Sequence, residues 1–106
     1  MGMSGLRTVE LLYFDGCPNY GEARASIERI AAEDDVMIDL RLVEVTSPEV
    51  AEAMRFLGSP SVRVNGRDVE PGADDRETFV LACRVYQTED GIGGQPSDAW
   101  IRAALH

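Results

Sequence analysis

The chain has 106 residues and a formal net charge of −9. This length suits one compact domain, so we predict a single domain over residues 1–106. The negative charge excludes nucleic acids and anionic membrane surfaces as expected partners, because like charges repel. The sequence has no run of about 18 apolar residues, which is the length that a membrane-spanning helix needs. Met1–Arg7 lacks the apolar core of a secretory signal, so we expect a cytoplasmic protein.

The chain has two cysteines, Cys17 and Cys83, and its one histidine is the last residue, His106. In the cytosol the thiol pool keeps most cysteine pairs reduced, so a structural disulfide is not expected. Two cysteines alone cannot form a structural zinc site. We therefore predict no metal site built from protein ligands alone.

The first half of the chain predicts a strand–helix–strand–helix order. Thr8–Phe14 is a nearly continuous apolar run, typical of a strand covered on both faces. A helix is expected to follow, with Pro18 in its first turn, where a missing N–H has no cost. Its apolar positions fall on one face at helical spacing: Ala23, Ile27, Ile30 and Ala31. The alternation over Val36–Val45 predicts a second strand.

A second helix is predicted to start at Ser47 as N-cap, with Pro48 at its first position, and to stop at Gly58. Val50, Met54 and Leu57 form its apolar stripe.

The second half predicts a β-hairpin and a last helix. Asn65-Gly66 is a strong signal for a tight turn between strands 61–64 and 67–70. Ser97 is placed to cap the last helix. Its buried face is expected to contain Trp100, Ile101, Ala104 and Leu105.

Residues 71–96 are predicted to form an insertion with some local structure, since Glu77–Tyr86 fits a strand and a helix equally well. Together the elements predict an α/β fold with a mixed four-stranded sheet flanked by helices.

Cys17 is the main candidate for chemistry. It is predicted to lie where a strand ends and a helix begins, and the positive end of a helix dipole favours the thiolate. The thiolate is both the nucleophile and the ligand of soft metals. Pro18 would fix this turn, whereas the carboxylate of Asp15 would oppose a second negative charge.

Three segments resemble the thioredoxin/glutaredoxin superfamily. The first is strand–Phe14-Asp15-Gly16-Cys17-Pro18–helix, the second is Gly58-Ser59-Pro60-Ser61 before a strand, and the third is the hairpin at Val62–Gly66. The resemblance implies a thioredoxin-like fold in which Pro60 is cis and packs against the cysteine motif. It also implies that Pro18, Ser59 and Pro60 contact substrate, with the backbone of Ser59 pairing with a substrate chain. Gly93-Gly94 resembles the glycine pair with which glutaredoxins hold glutathione, although a plain turn is the favoured interpretation.

The motif departs from the family pattern at one position. A dithiol oxidoreductase needs Cys-x-x-Cys, and here Tyr20 stands where the second cysteine would be. Three alternatives remain open. A small thiol such as glutathione could resolve a mixed disulfide at Cys17, Cys83 could act as a distant resolving cysteine, or no redox cycle occurs.

The leading prediction is a thiol-redox protein in which Cys17 exchanges with a small thiol or with a client protein's cysteine. No cofactor is expected apart from such a thiol. One alternative is capture of a soft metal or organomercurial by Cys17, with or without Cys83. The chain also resembles small bacterial thioredoxin-like proteins with names linked to mercury resistance.

Another alternative is an interaction module that keeps only the fold. For Cys83 itself, between Leu81 and Val85, plain core packing is the favoured interpretation.

Overall fold

The computed structural model describes residues 6–106, and the prediction about Met1–Arg7 therefore falls mostly outside the described part of the chain. The helices and strands run in the order β1 (Arg7–Tyr13), α1 (Tyr20–Glu33), β2 (Ile38–Glu44), α2 (Pro48–Ala53), β3 (Ser61–Val64), β4 (Arg67–Asp68), a 3₁₀ turn (Ala73–Asp75), β5 (Tyr86–Thr88), β6 (Gly91–Gly93) and α3 (Asp98–Leu105). Among residues 6–106, none of the helices has the length and apolar character needed to cross a bilayer.

The main sheet has four strands in the order β2-β1-β3-β4. β1 pairs in parallel with β2, and β3 is antiparallel to both β1 and β4. Parallel pairing of β1 and β2 requires a crossover connection, which α1 supplies. The predicted α/β fold with a mixed four-stranded sheet is confirmed. β5 and β6 form a separate two-stranded hairpin.

The side chains of β1 alternate between two apolar cores, one on each face of the sheet. Val9 and Leu11 pack with α1 and α3, whereas Leu12 packs with α2 and Phe56. The four predicted core positions of α1 are all buried. In α3, Ile101 and Leu105 are buried, and Trp100 and Ala104 pack against the same cluster while remaining partly exposed. β1 is thus one of the two inner strands, and the turn that follows its carboxyl end contains Cys17.

Two predicted helix boundaries are wrong. α1 begins at Tyr20 with Asn19 as its N-cap, so Pro18 lies ahead of the helix and not in its first turn. The reason is a turn closed by Cys17, whose N–H donates to Phe14 O at 3.2 Å. α2 ends at Ala53, well before Gly58, because Arg55 adopts a left-handed φ of 54° and Phe56 is buried.

The hairpin at Asn65-Gly66 is confirmed, with positive φ values of 52° and 87° at the two turn residues. β4 is shorter than predicted, because regular pairing stops at Asp68. Residues 71–96 contain the predicted local structure, namely the 3₁₀ turn and the β5–β6 hairpin. The stretch 77–85 is neither helix nor strand, apart from one bridge between Cys83 and Ser59.

Candidate functional site

Cys17 lies in the turn between β1 and α1. Gly16 precedes it with a φ of 91°, which glycine adopts without strain. Cys17 is a free thiol with 9% of its surface exposed. Pro18 and Asn19 separate it from Tyr20, the first residue of α1, so Cys17 lies between the end of β1 and the start of the helix, as predicted.

A loop around Pro60 lies beside this turn. The Ser59–Pro60 peptide bond is cis, as predicted. Ser59 is fully buried, and its Oγ accepts a long hydrogen bond of 3.4 Å from the Phe14 N–H. Since the carbonyl oxygen of Phe14 accepts from Cys17, Phe14 joins the cysteine turn to the Ser59–Pro60 loop.

Both backbone groups of Ser59 are hydrogen-bonded within the chain. Its N–H donates to Ala82 O at 2.8 Å, and its carbonyl accepts from the Arg84 N–H at 2.9 Å. Cys83 is therefore paired with Ser59 in a parallel bridge. The structure thus brings Cys83 to the same loop that Cys17 contacts through Phe14. The predicted pairing of Ser59 with a substrate chain stays a prediction. The backbone N–H and carbonyl of Ser59 are bonded to the protein's own residues Ala82 and Arg84.

Cys83 is exposed and free, so the interpretation as core packing is wrong. The buried positions of this segment are the alternate ones, Arg84 and Tyr86. Successive residues of an extended chain point to opposite sides, so burial of residues 84 and 86 places residue 83 outside.

Sequence reasoning missed Arg84, whose side chain is only 2% exposed. Its guanidinium donates to Asp68 Oδ2 at 2.7 Å and Oδ1 at 3.1 Å, to Glu70 Oε1 at 2.8 Å and to Ser61 Oγ at 2.9 Å. Burial opposes the charged form, but hydrogen bonds and charge from the two carboxylates prevail and raise the pKa of Arg84. The sequence signal for a buried basic partner is the pair of acidic residues Asp68 and Glu70, two positions apart at the end of the β3–β4 hairpin.

Tyr86 completes the contact. Its ring lies under the Arg84 guanidinium, 4.3 Å from Cζ to the ring centroid, and its hydroxyl donates to Pro60 O at 2.6 Å. Burial raises the pKa of this hydroxyl, which keeps it protonated as a donor, although the charge of Arg84 acts in the opposite direction. Segment 82–86 is therefore held against the Ser59–Pro60 loop at Ser59 and at Pro60.

The position of the missing second cysteine is filled by an aromatic stack. The rings of Tyr20 and Tyr13 lie 4.3 Å apart between centroids and nearly parallel. Gly94 lies against the side chain of Asn19, where a Cβ would come within 2.7 Å of Asn19 Cγ. Gly94 of the predicted glycine pair therefore contacts Asn19, the N-cap of α1, whereas nothing lies within 4 Å of a Cβ added at Gly93.

Residues 6–106 contain no group of three or more His, Cys, Asp or Glu side chains placed to hold a metal ion. A cleft of about 460 Å³ lies between the β3–β4 hairpin and α3, and neither cysteine lines it. Comparison of this chain with protein-family models, curated proteins and solved structures gives no match.

Proposed function

We propose that the protein is a thioredoxin-like thiol-redox protein that uses Cys17 for thiol–disulfide exchange. The observation that carries the proposal is that hydrogen bonds join the turn of Cys17 and the segment of Cys83 to the same loop. Cys17 is tied to Ser59 through Phe14, and Cys83 is paired with Ser59 by backbone hydrogen bonds. This loop carries the cis Pro60, which is the feature that the family resemblance assigns to a substrate-contacting loop.

The exchange needs only one activated thiol at a time. The Cys17 thiolate attacks one sulfur of a disulfide R–S–S–R, forms Cys17–S–S–R and releases R–S⁻ with the electron pair of the broken bond. A second thiol then attacks the mixed disulfide. If that thiol is Cys83, the product is a Cys17–Cys83 disulfide. If it is an outside thiol R′–SH, Cys17 is released reduced together with R–S–S–R′.

The test separates a reactive Cys17 from a structural one. In a Cys83→Ser variant, Cys17 is the one remaining thiol. Its rate of reaction with oxidised glutathione is measured in the native protein and in the same protein unfolded by denaturant. If the folded structure only buried Cys17, its thiol would react more slowly in the folded chain than in the unfolded one. We expect the folded protein to react at least as fast as the unfolded one, and a Cys17→Ser variant to lose the Cys17 adduct.

A much slower reaction in the folded chain contradicts the proposal and leaves Cys17 as a residue of the turn. In that case, titration of the wild-type chain with a soft metal ion, compared with Cys17→Ser and Cys83→Ser, decides whether the thiols bind metal. The matched pair of variants assigns any metal to one cysteine or to both.

A further inference from the structure

The backbone edge at Ser59 is filled by the chain's own residues 82–84, here named the strap. An extended polypeptide that docks on such an edge pairs through a backbone N–H and a carbonyl. The Ser59 N–H and carbonyl are both bound, at 2.8 Å to Ala82 and at 2.9 Å to Arg84. A second extended chain can bind there only if the strap leaves.

The strap is fixed at both of its ends. Upstream, the Val80 N–H donates to Phe56 O at 3.1 Å. Downstream, the Tyr86 hydroxyl donates to Pro60 O, and the Arg84 guanidinium is buried against Asp68 and Glu70. Lifting the strap would separate these charges and leave buried carboxylates without their partner, which is strongly unfavourable.

The strap also lies in direct contact with the loop beneath it. A Cβ built on Gly58 would come within 2.8 Å of Arg84 Cβ and 3.2 Å of Ala82 O. Glycine at position 58 therefore lets the two segments approach, and no space for another chain remains between them.

Given the proposed exchange at Cys17, on which this inference rests, we infer that the protein acts on low-molecular-weight disulfides and not on cysteines within extended polypeptides. A small disulfide needs access to the Cys17 sulfur alone. An extended polypeptide that docks beside Cys17 by backbone pairing would use the Ser59 edge, and the strap competes for that edge at the high effective concentration of an attached segment.

Two probes with the same leaving group test this. One is the 2-thiopyridyl disulfide of 2-mercaptoethanol, and the other is that of a short alanine peptide containing one cysteine. Release of 2-thiopyridone is followed with the Cys83→Ser chain, and each rate is divided by that of free glutathione with the same probe. We expect the small probe to react at least about tenfold faster than the peptide, equivalent to about 1.4 kcal/mol in the barrier.

Adding Arg84→Met should release the strap, raise the relative rate of the peptide and leave that of the small probe unchanged. Arg67→Met is the matched control, because the Arg67 side chain is 83% exposed, and both rates should stay as they were. Equal relative rates for the two probes in the Cys83→Ser chain overturn the inference while leaving the proposed function intact. Failure of both probes to react overturns the proposed function.

A measurement without the Arg84 substitution guards against a variant that does not fold. Amide hydrogen exchange of the wild-type chain reports directly on the two backbone hydrogen bonds between the strap and Ser59. We expect the amides of Ser59 and Arg84 to be protected together, since one opening event breaks both bonds. Exchange of both amides at the rate of an unstructured peptide would show that the strap is already open, and would overturn the inference.

Discussion

The guanidinium of Arg84 donates two hydrogen bonds, of 2.7 and 3.1 Å, to the carboxylate of Asp68. The two residues belong to segments on either side of the 3₁₀ turn, and both side chains are at most 6% exposed. This fork geometry is the strongest arrangement available to an arginine–carboxylate pair. It fixes the strap against β4.

The buried pair predicts a large cost for losing the arginine. Arg84→Met should lower the free energy of unfolding by about 3–5 kcal/mol, because Asp68 and Glu70 would remain buried without their counter-charge. Denaturant unfolding followed by circular dichroism measures the loss. Arg67→Met is the control, since its ion pair with Asp74 is exposed and contributes about 0–1 kcal/mol. Similar small losses in both variants would contradict the assigned role of Arg84.

Loss of the hydrogen bond from Tyr86 to Pro60 O should lower the free energy of unfolding by less than loss of Arg84 does. Tyr86→Phe keeps the ring under Arg84 but leaves a buried carbonyl without its donor, which costs about 1–3 kcal/mol. Tyr13→Phe is the control. Tyr13 is partly exposed, and substitutions at such positions usually change the free energy of unfolding by no more than about 0.5 kcal/mol. Thermal or denaturant unfolding of the three proteins ranks them, and a Tyr86→Phe chain as stable as Tyr13→Phe would refute the prediction.

Tyr86 also predicts sensitivity to alkaline pH. Burial raises the pKa of its hydroxyl above the ordinary 10.0. The unfolded chain therefore loses this proton at lower pH than the folded chain. The stabilisation is complete below pH 10.0 and is lost as the pH rises through the folded pKa.

The stability difference between wild type and Tyr86→Phe should therefore be constant below about pH 10 and shrink as the pH rises from about 10 to about 12 in denaturant titrations. A difference that stays constant or grows over that range would contradict the assignment.

Gly58 tests the close approach of the strap. Gly58→Ala combines a φ of 119° with a Cβ only 2.8 Å from Arg84 Cβ. Gly72→Ala is the matched control, because Gly72 also has a positive φ, 80°, but nothing within 4 Å of the added Cβ.

Gly58→Ala should therefore be less stable than Gly72→Ala by about 1–3 kcal/mol, the usual cost of overpacking. Equal destabilisation in the two variants would mean that the strap does not lie in close contact with Gly58.

The elements with strong local signals were predictable from the sequence. The helical spacing of Ala23, Ile27 and Ile30 gave the buried face of α1, and Ser47 caps α2 as expected, with its Oγ accepting from the Val50 N–H at 3.1 Å. These signals act within a few residues, so no tertiary contact needs to be known.

The strap was not predictable, because its position depends on contacts with distant parts of the chain. The apolar residues between Phe79 and Val85 suggested that Cys83 is buried, yet burial of Arg84 reverses which side of the segment faces inward. A shift of one residue in an extended segment exchanges its two faces. Arginine is almost never fully buried unless it is paired, and its partner Asp68 lies across the 3₁₀ turn.

The most direct test of the central claim is to locate the modification when the wild-type protein equilibrates with reduced and oxidised glutathione over a series of redox poises. Intact mass and peptide mapping distinguish a glutathionyl adduct on Cys17 from a Cys17–Cys83 disulfide, which lowers the mass by two hydrogens. We expect Cys17 to be oxidised in one of these two forms. Glutathionylation confined to the exposed Cys83, with Cys17 reduced at every poise, would contradict it.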